Sequence, residues 1–166
     1  KVYLFSKDNS TPLWYYTTED WVADVDISAD GKYIIAGTKT QITSEGDKKA
    51  YLFERSSSTP LWSYTTGGDV RSVAISADGE YIVVGSQNRY VYLFDKDSNT
   101  PIWNYSAGKE FMSVAISADG EYITAGSTDD SVYLFDKDSN TPLWFYEADG
   151  NIISVDISAE GGYLTV

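Results

Sequence analysis

The sequence predicts an all-β protein: a β-propeller of four-stranded antiparallel blades, four blades per chain. Three observations carry that prediction: a period near 41 residues, four strand-length apolar runs within each period, and an aromatic content suited to sheets. VYLFDKDSNTPIW at 91–103 returns almost letter for letter as VYLFDKDSNTPLW at 132–144. Tyr3, Tyr51, Tyr92 and Tyr133 each open a YLF triplet, at spacings of 48, 41 and 41. Trp14, Trp62, Trp103 and Trp144 keep the same intervals, as do the four prolines (Pro12, Pro60, Pro101 and Pro142). The turn SADG recurs at 28–31, 76–79 and 117–120, with SAEG at 158–161. A fixed period of this length marks a repeat architecture.

Each repeat reads as four strands, a to d. DVRSVAIS (69–76) alternates small and large apolar residues, and ADG then turns the chain. EYIVVGS (80–86) is a β-branched run ending at a glycine, and YVYLFD (90–95) alternates aromatic with aliphatic residues. PIWNYS (101–106) follows, its proline opening an edge strand where no ladder donor is needed. A sheet of this kind has two apolar faces and covers both only between neighbours, so the blades must stack around an axis.

The strand order from Lys1 is c-d, then a-b-c-d three times, then a-b. Complete blades are expected at 21–66, 69–107 and 110–147. Strands in 1–20 are expected to share one further blade with those in 150–166, YLTV (163–166) pairing with VYLF (2–5). The whole of 1–166 is thus one propeller or one propeller half. Either it closes as a compact four-bladed ring, or two copies form an eight-bladed homodimer. The chain stops at Val166, where sister strands run on into Gly85-Ser86 and Gly126-Ser127; this tilts the reading towards eight.

The 166 residues are 42% hydrophobic and 15% aromatic, with 14 tyrosines, which fits an ordered β-rich chain. A net charge of −13 repels phosphate backbones and anionic bilayers, so no nucleic acid partner is expected. The chain has no cysteine and no histidine. Disulfides, thiolate metal sites, Ser-His-Asp and Cys-His catalysis and imidazole shuttles are therefore excluded. No stretch approaches the roughly 18 apolar residues of a membrane helix, so no membrane insertion is expected. Lys1 stands where a start methionine would, and a targeting segment upstream is expected.

The repeat also separates two faces. The a–b and c–d turns are nearly constant. The d–a connections TTEDW (17–21), TTGGD (65–69), SAGKE (106–110) and EADGN (147–151) differ in every blade. So do the b–c loops TKTQITSEGDKK (38–49), SQNR (86–89) and STDD (127–130). Positions held equal serve the frame, and positions free to differ can serve a partner. The binding candidates are Trp21, Arg71, Asn88, Arg89, Lys109, Glu110, Met112, Asp129 and Asp130. Trp21 leads, because its sister positions hold Asp69, Glu110 and Asn151. It is either an anchor for a protein or sugar, or it packs beneath the 38–49 insertion.

Other patterns carry less. DKDSN (95–99, 136–140) has the oxygen-rich start of a calcium loop, but Thr100 and Thr141 stand where such a loop needs glycine. A hairpin turn bonded by its own side chains is the competing reading. Asp26 and Asp156 occupy the strand-a position filled by Ala74 and Ala115 elsewhere. As neighbours near a channel they are weak metal candidates; the alternative is that each accepts N–H groups from a neighbouring blade. Asn9-Ser10-Thr11 and Asn104-Tyr105-Ser106 fit the N-glycosylation pattern, which matters only for an exported chain.

SVAISADGEYIVVGS (72–86) resembles the front half of a WD40 repeat. The c–d half resembles the quinoprotein (PQQ-like) repeat with its docking motif A-x-D-x-x-x-G-x-x-x-W. Asp95 precedes Trp103, and Asp136 precedes Trp144, by that motif's eight residues, with Asn99 and Asn140 at the motif glycine. The Trp-Asp dipeptide of WD40 repeats is replaced by Phe-Ser, Phe-Glu, Phe-Asp and Phe-Asp, and the Gly-His dipeptide is missing. The cysteine pair of many quinoprotein dehydrogenases is also missing, and no cofactor constellation is visible, so no cofactor is expected. The resemblance implies a hybrid propeller of the kind found in archaeal and bacterial surface proteins, placed outside the cell or on its surface. The expected role is a non-catalytic scaffold binding a protein or surface glycan through the variable face. The alternatives are a cation- or cofactor-binding enzymatic propeller using channel carboxylates, and a segment of a larger surface protein.

Overall fold

The computed structural model describes residues 1–40 and 46–166, so residues 41–45 of the expected b–c insertion lie outside the described residues. Sixteen strands are found among the described residues, and no helix. The first pair is β1 (Val2–Phe5) and β2 (Pro12–Tyr16). The first complete blade comprises β3 (Trp21–Ile27), β4 (Tyr33–Lys39), β5 (Lys49–Glu54) and β6 (Trp62–Thr65). The second comprises β7 (Val70–Ile75), β8 (Tyr81–Ser86), β9 (Tyr90–Asp95) and β10 (Trp103–Ser106). The third comprises β11 (Phe111–Ile116), β12 (Tyr122–Ser127), β13 (Ser131–Asp136) and β14 (Trp144–Glu147). The chain ends with β15 (Asp156–Ile157) and β16 (Leu164–Thr165).

Each complete blade is an antiparallel meander in the order a-b-c-d. Only Pro12 lies inside a strand; the other three prolines stand two residues before the tryptophan that opens strand d. In each complete blade the a–b register slips, leaving Ala23, Arg71 and Met112 as unpaired bulge residues. The ladder expected between YLTV and VYLF is not formed. β1 pairs with β2 and β16 with β15, as separate two-stranded sheets at the two ends of an arc. Among the described residues, the strand-c edge of β1 and the strand-b edge of β16 are therefore both without a ladder partner.

The core lies between blades. Leu93, Trp103, Ile123 and Phe135 meet between the second and third; Ile35, Leu52, Ile82 and Phe94 meet between the first and second. Glycines in strand b let adjacent sheets approach: a Cβ on Gly85 would stand 2.9 Å from Val114 Cγ1.

The joints between complete blades use the same interactions, and each interaction recurs three times along the chain. The strand-d tryptophan donates Nε1–H to the c–d turn of the next blade: Trp14 to Arg55 O at 2.8 Å, Trp62 to Lys96 O at 2.8 Å and Trp103 to Lys137 O at 2.7 Å. Its ring lies 5.3–5.5 Å from that blade's phenylalanine, Phe53, Phe94 or Phe135. The SADG turns are joined by Ala29 N–H to Ala77 O, Ala77 N–H to Ala118 O and Ala118 N–H to Ala159 O. Strand-b tyrosines cover the next turn's glycine, Tyr33 on Gly79, Tyr81 on Gly120 and Tyr122 on Gly161. These glycines have φ of +77°, +76° and +68°, the left-handed region that a side chain resists.

The DKDSN segments are self-bonded turns. Asp95 accepts the Asp97 N–H at 2.8 Å and Asp136 the Asp138 N–H at 2.9 Å. Asn99 and Asn140 reach back to Ser63 O and Asn104 O of the preceding blade.

Candidate functional site: the loop face

The d–a connections and b–c loops lie together on one face, as their backbone bonds show. Gln87 donates its N–H to Asp69 O, Ala107 to Arg89 O, Thr128 to Glu110 O and Ala148 to Asp130 O. The nine binding candidates share this face but divide into frame and free groups.

Asn88 and Asp129 belong to the frame. Each stands four residues before a strand-c tyrosine and binds its hydroxyl: Asn88 Nδ2 is 2.6 Å from Tyr92 Oη, and Tyr133 donates to Asp129 Oδ2 at 2.8 Å. Asp47 does the same for Tyr51 at 2.5 Å. Burial, then the neighbouring carboxylate, pushes the Tyr51 and Tyr133 hydroxyls above their ordinary value; burial also raises Tyr92. Asn88 also donates to Thr66 O and accepts the Tyr90 N–H. Both side chains are thus engaged within the fold as well as standing on the variable face. Arg89 and Asp130 are next in each turn, with φ of +78° and +69°. The turn fixes their backbones. The Arg89 side chain is exposed, and that of Asp130 is half-buried.

The position at the entry to strand a explains much of the loop variation. Asp69 accepts the Thr40 N–H at 3.0 Å and its hydroxyl at 2.8 Å. Glu110 accepts from Gln87 Nε2 at 3.1 Å. Asn151, its amide turned to donate, reaches Asp130 Oδ1 at 2.9 Å and Thr128 O at 3.0 Å. Each is a latch to the b–c loop of the preceding blade, so the two variable segments differ together. Glu110 is therefore partly a frame residue. Trp21, at the same position of the first complete blade, is 53% exposed and pairs across the sheet with Lys39. That exposure fits an anchor better than a residue packed under the described part of the insertion.

Arg71 and Met112 are bulge residues of strand a. A bulge re-aims its side chain and is common beside binding sites. Arg71 points to the next blade, its guanidinium 3.7 Å from Glu110 Oε2, and its Nε is buried without a partner. Met112 is half-buried, and Lys109 is exposed. Arg71 thus neighbours Glu110 on the loop face, which also carries the exposed Arg89 and Lys109 in a chain whose net charge is −13. Every complete blade carries the bulge, so its extra residue leaves the repeat spacing intact and shows no signal in the sequence.

The axial carboxylates are not brought together as a pair by any strand ladder: β3 neighbours β7, and β15 neighbours β11. Asp26 accepts Ile27 N–H at 2.8 Å on Oδ1 and the next blade's Ile75 N–H at 2.9 Å on Oδ2. Burial outweighs these bonds and raises its pKa above the ordinary 3.8. Asp156 accepts Ile157 N–H at 2.8 Å on Oδ1, with no bond from a further blade among the described residues. Among the described residues no group of three or more acidic, cysteine or histidine side chains could hold a metal.

Comparison with known proteins places this architecture. The family model described as "Outer membrane protein assembly factor BamB", of the PQQ-like repeat type, matches residues 47–161. The chain belongs to this PQQ-like propeller family. Among solved structures it is similar to "Structure of U3-55K" and "Crystal structure of RRP9 WD40 repeats", each at TM-score 0.75 and 14% identity. The matches cover 87% of this chain and 45% and 44% of those chains, so it spans less than half their length. No curated protein sequence matches it. The protein is a WD40-like and PQQ-like β-propeller, an architecture that commonly serves as a protein-interaction scaffold.

Proposed function

We propose that the chain is a non-catalytic recognition scaffold, on the cell surface or outside the cell, binding a protein or surface glycan through its loop face. The observation that carries this reading is the contrast between the faces. The SADG and c–d turns are tied up in inter-blade bonds, while the loop face presents Trp21, Arg89 and Lys109 exposed. Aromatic and arginine side chains are the usual energetic anchors of recognition surfaces. The matched family's description, an assembly factor, supports a protein as the partner.

Catalysis or cation binding at Asp26 is the weaker reading, since both its oxygens already accept N–H groups. The test is a peptide and glycan array probed with wild type, Trp21→Ala and the Arg89→Glu/Lys109→Glu double variant. Binding that drops at least tenfold in the loop-face variants, with thermal stability unchanged, supports the proposal. Binding unaffected by either variant overturns it.

A further inference from the structure

One seam of the loop face differs in charge from its sisters. Between the second and third blades, Ala107 N–H donates to Arg89 O at 3.1 Å, which sets the loop carrying Arg89 against the connection carrying Lys109. Arg71, the strand-a bulge of the second blade, reaches towards the same connection, 3.7 Å from Glu110 Oε2. Where this seam has Arg71, Arg89 and Lys109, the preceding one has Ala23, Lys48 and Gly68, and the following one Met112, Asp130 and Gly150. Asp69, Glu110 and Asn151 stand at the three strand-a entries. The balance is therefore three cations to one acid at this seam, one to one before it, and one acid with no cation after it.

Two of these cations are held against the preference of the local structure. Arg89 has φ +78°, and Asp130 is the one other non-glycine residue at positive φ among the described residues. Aspartate tolerates that region, whereas arginine has no local bond to recommend it there. Arg71 Nε is buried with no hydrogen-bond partner among the described residues, and the guanidinium lies too far from Glu110 for a hydrogen bond. Met112 shows that the same bulge accepts an uncharged side chain. Backbone strain and unmet donors kept together at one seam mark a use that lies outside the fold.

We infer that the seam between the second and third blades binds an acidic segment of a partner protein, its carboxylates held by Arg71, Arg89 and Lys109 and an apolar side chain between them resting on Met112. The inference rests on the loop-face binding proposed above and names the chemistry of the partner. A guanidinium presents paired N–H donors whose geometry matches a carboxylate. The acids beside these cations are already occupied. Glu110 accepts from Gln87 Nε2 at 3.1 Å, and Asp129, 3.9 Å from where a Gly108 Cβ would stand, accepts the Tyr133 hydroxyl at 2.8 Å.

Charge complementarity favours this occupant. The net charge of −13 repels an acidic partner from the rest of the surface, so attraction confined to one seam fixes where and in which orientation the segment docks. Met112 is half-buried, and its flexible thioether adapts to apolar side chains of varied shape. A peptide offers such side chains between its carboxylates, whereas an acidic sugar chain offers hydroxyl-bearing rings.

The third blade supplies the control. Arg71→Met, Arg89→Asp and Lys109→Gly together give this seam the letters with which the following one already folds. Fluorescence anisotropy follows labelled peptides that alternate glutamate with leucine, and their glutamine counterparts, on wild type, the triple variant and Trp21→Ala. The expected result is binding of the glutamate peptides that weakens as salt rises. It falls at least about tenfold for the glutamine counterparts and in the triple variant, whose melting temperature is not lowered. Arg71→Met alone, which removes the unmet donor, should hold or raise the melting temperature and still weaken the glutamate peptides. Equal binding of acidic and amide peptides, or equal binding by wild type and triple variant, overturns the inference; a loss in Trp21→Ala then leaves the loop-face reading standing. No binding of the acidic peptides, with or without binding of oligogalacturonate, overturns it as well.

Discussion

The Trp103 indole lies 5.3 Å from the Phe135 ring and donates its N–H to Lys137 O at 2.7 Å, fastening the second blade to the third. One aromatic side chain thus supplies both an apolar contact and a directional bond, so neighbouring sheets cannot slide. The two contributions separate by substitution. Trp103→Phe keeps a ring and loses the bond, costing about 1 kcal/mol. Trp103→Ala loses both, costing about 3–5 kcal/mol. Urea unfolding of the two variants measures the difference.

Gly79 and Gly67 share a left-handed backbone, φ +77° and +82°, but differ in surroundings. A Cβ on Gly79 would stand 2.5 Å from the Tyr33 ring; one on Gly67 meets nothing within 4 Å. Gly67→Ala therefore costs only the backbone term, about 1–2 kcal/mol. Gly79→Ala adds the displacement of Tyr33, a further ~1–3 kcal/mol. Equal melting shifts for the two variants would refute the packing role of Tyr33.

Asn88 and Asp129 each hold a tyrosine hydroxyl on the loop face. Asn88→Ala and Asp129→Ala should each lose about 1–2 kcal/mol of stability, because a buried hydroxyl loses its partner. Arg89→Ala, with its side chain in solvent, should change stability by less than about 0.5 kcal/mol. Thermal melts of the three variants decide between the two roles.

Asp26 should leave a signature in pH. Burial raises its folded pKa above the ordinary 3.8, so the folded state holds the proton more tightly than the unfolded chain. Its contribution is fully present below 3.8 and is lost as pH rises through the raised value. Wild type minus Asp26→Asn stability, followed by urea unfolding, should accordingly fall across that interval and then level off. A difference that climbs with pH would reverse the assigned cause.

The blades were legible because each letter of the repeat does the same physical work three or four times. The strand-c bounds at Tyr90–Asp95 match the YVYLFD run, and the SADG glycines match left-handed turns. The latches were not legible. Asp69 and Thr40, or Glu110 and Gln87, are partners across a blade boundary, and their letters differ from joint to joint. Position-by-position comparison registers that as unconstrained drift. The bulge at Arg71 escaped for another reason: its extra residue is present in every complete blade, so nothing in the spacing betrays it. The edges of β1 and β16 carry the same letters as paired strands, so letters alone do not show that the two stay in separate two-stranded sheets.

Because Trp14, Trp62 and Trp103 all fasten to the following sheet through the same main-chain oxygen, this fastening is not tailored to its position, unlike the latches of the loop face. A gene of this design can gain or shed a whole 41-residue module by recombination between its near-identical stretches, and every new seam arrives ready-made. Circumference becomes an inheritable variable, adjusted in unit steps, while the tryptophan fastening stays constant.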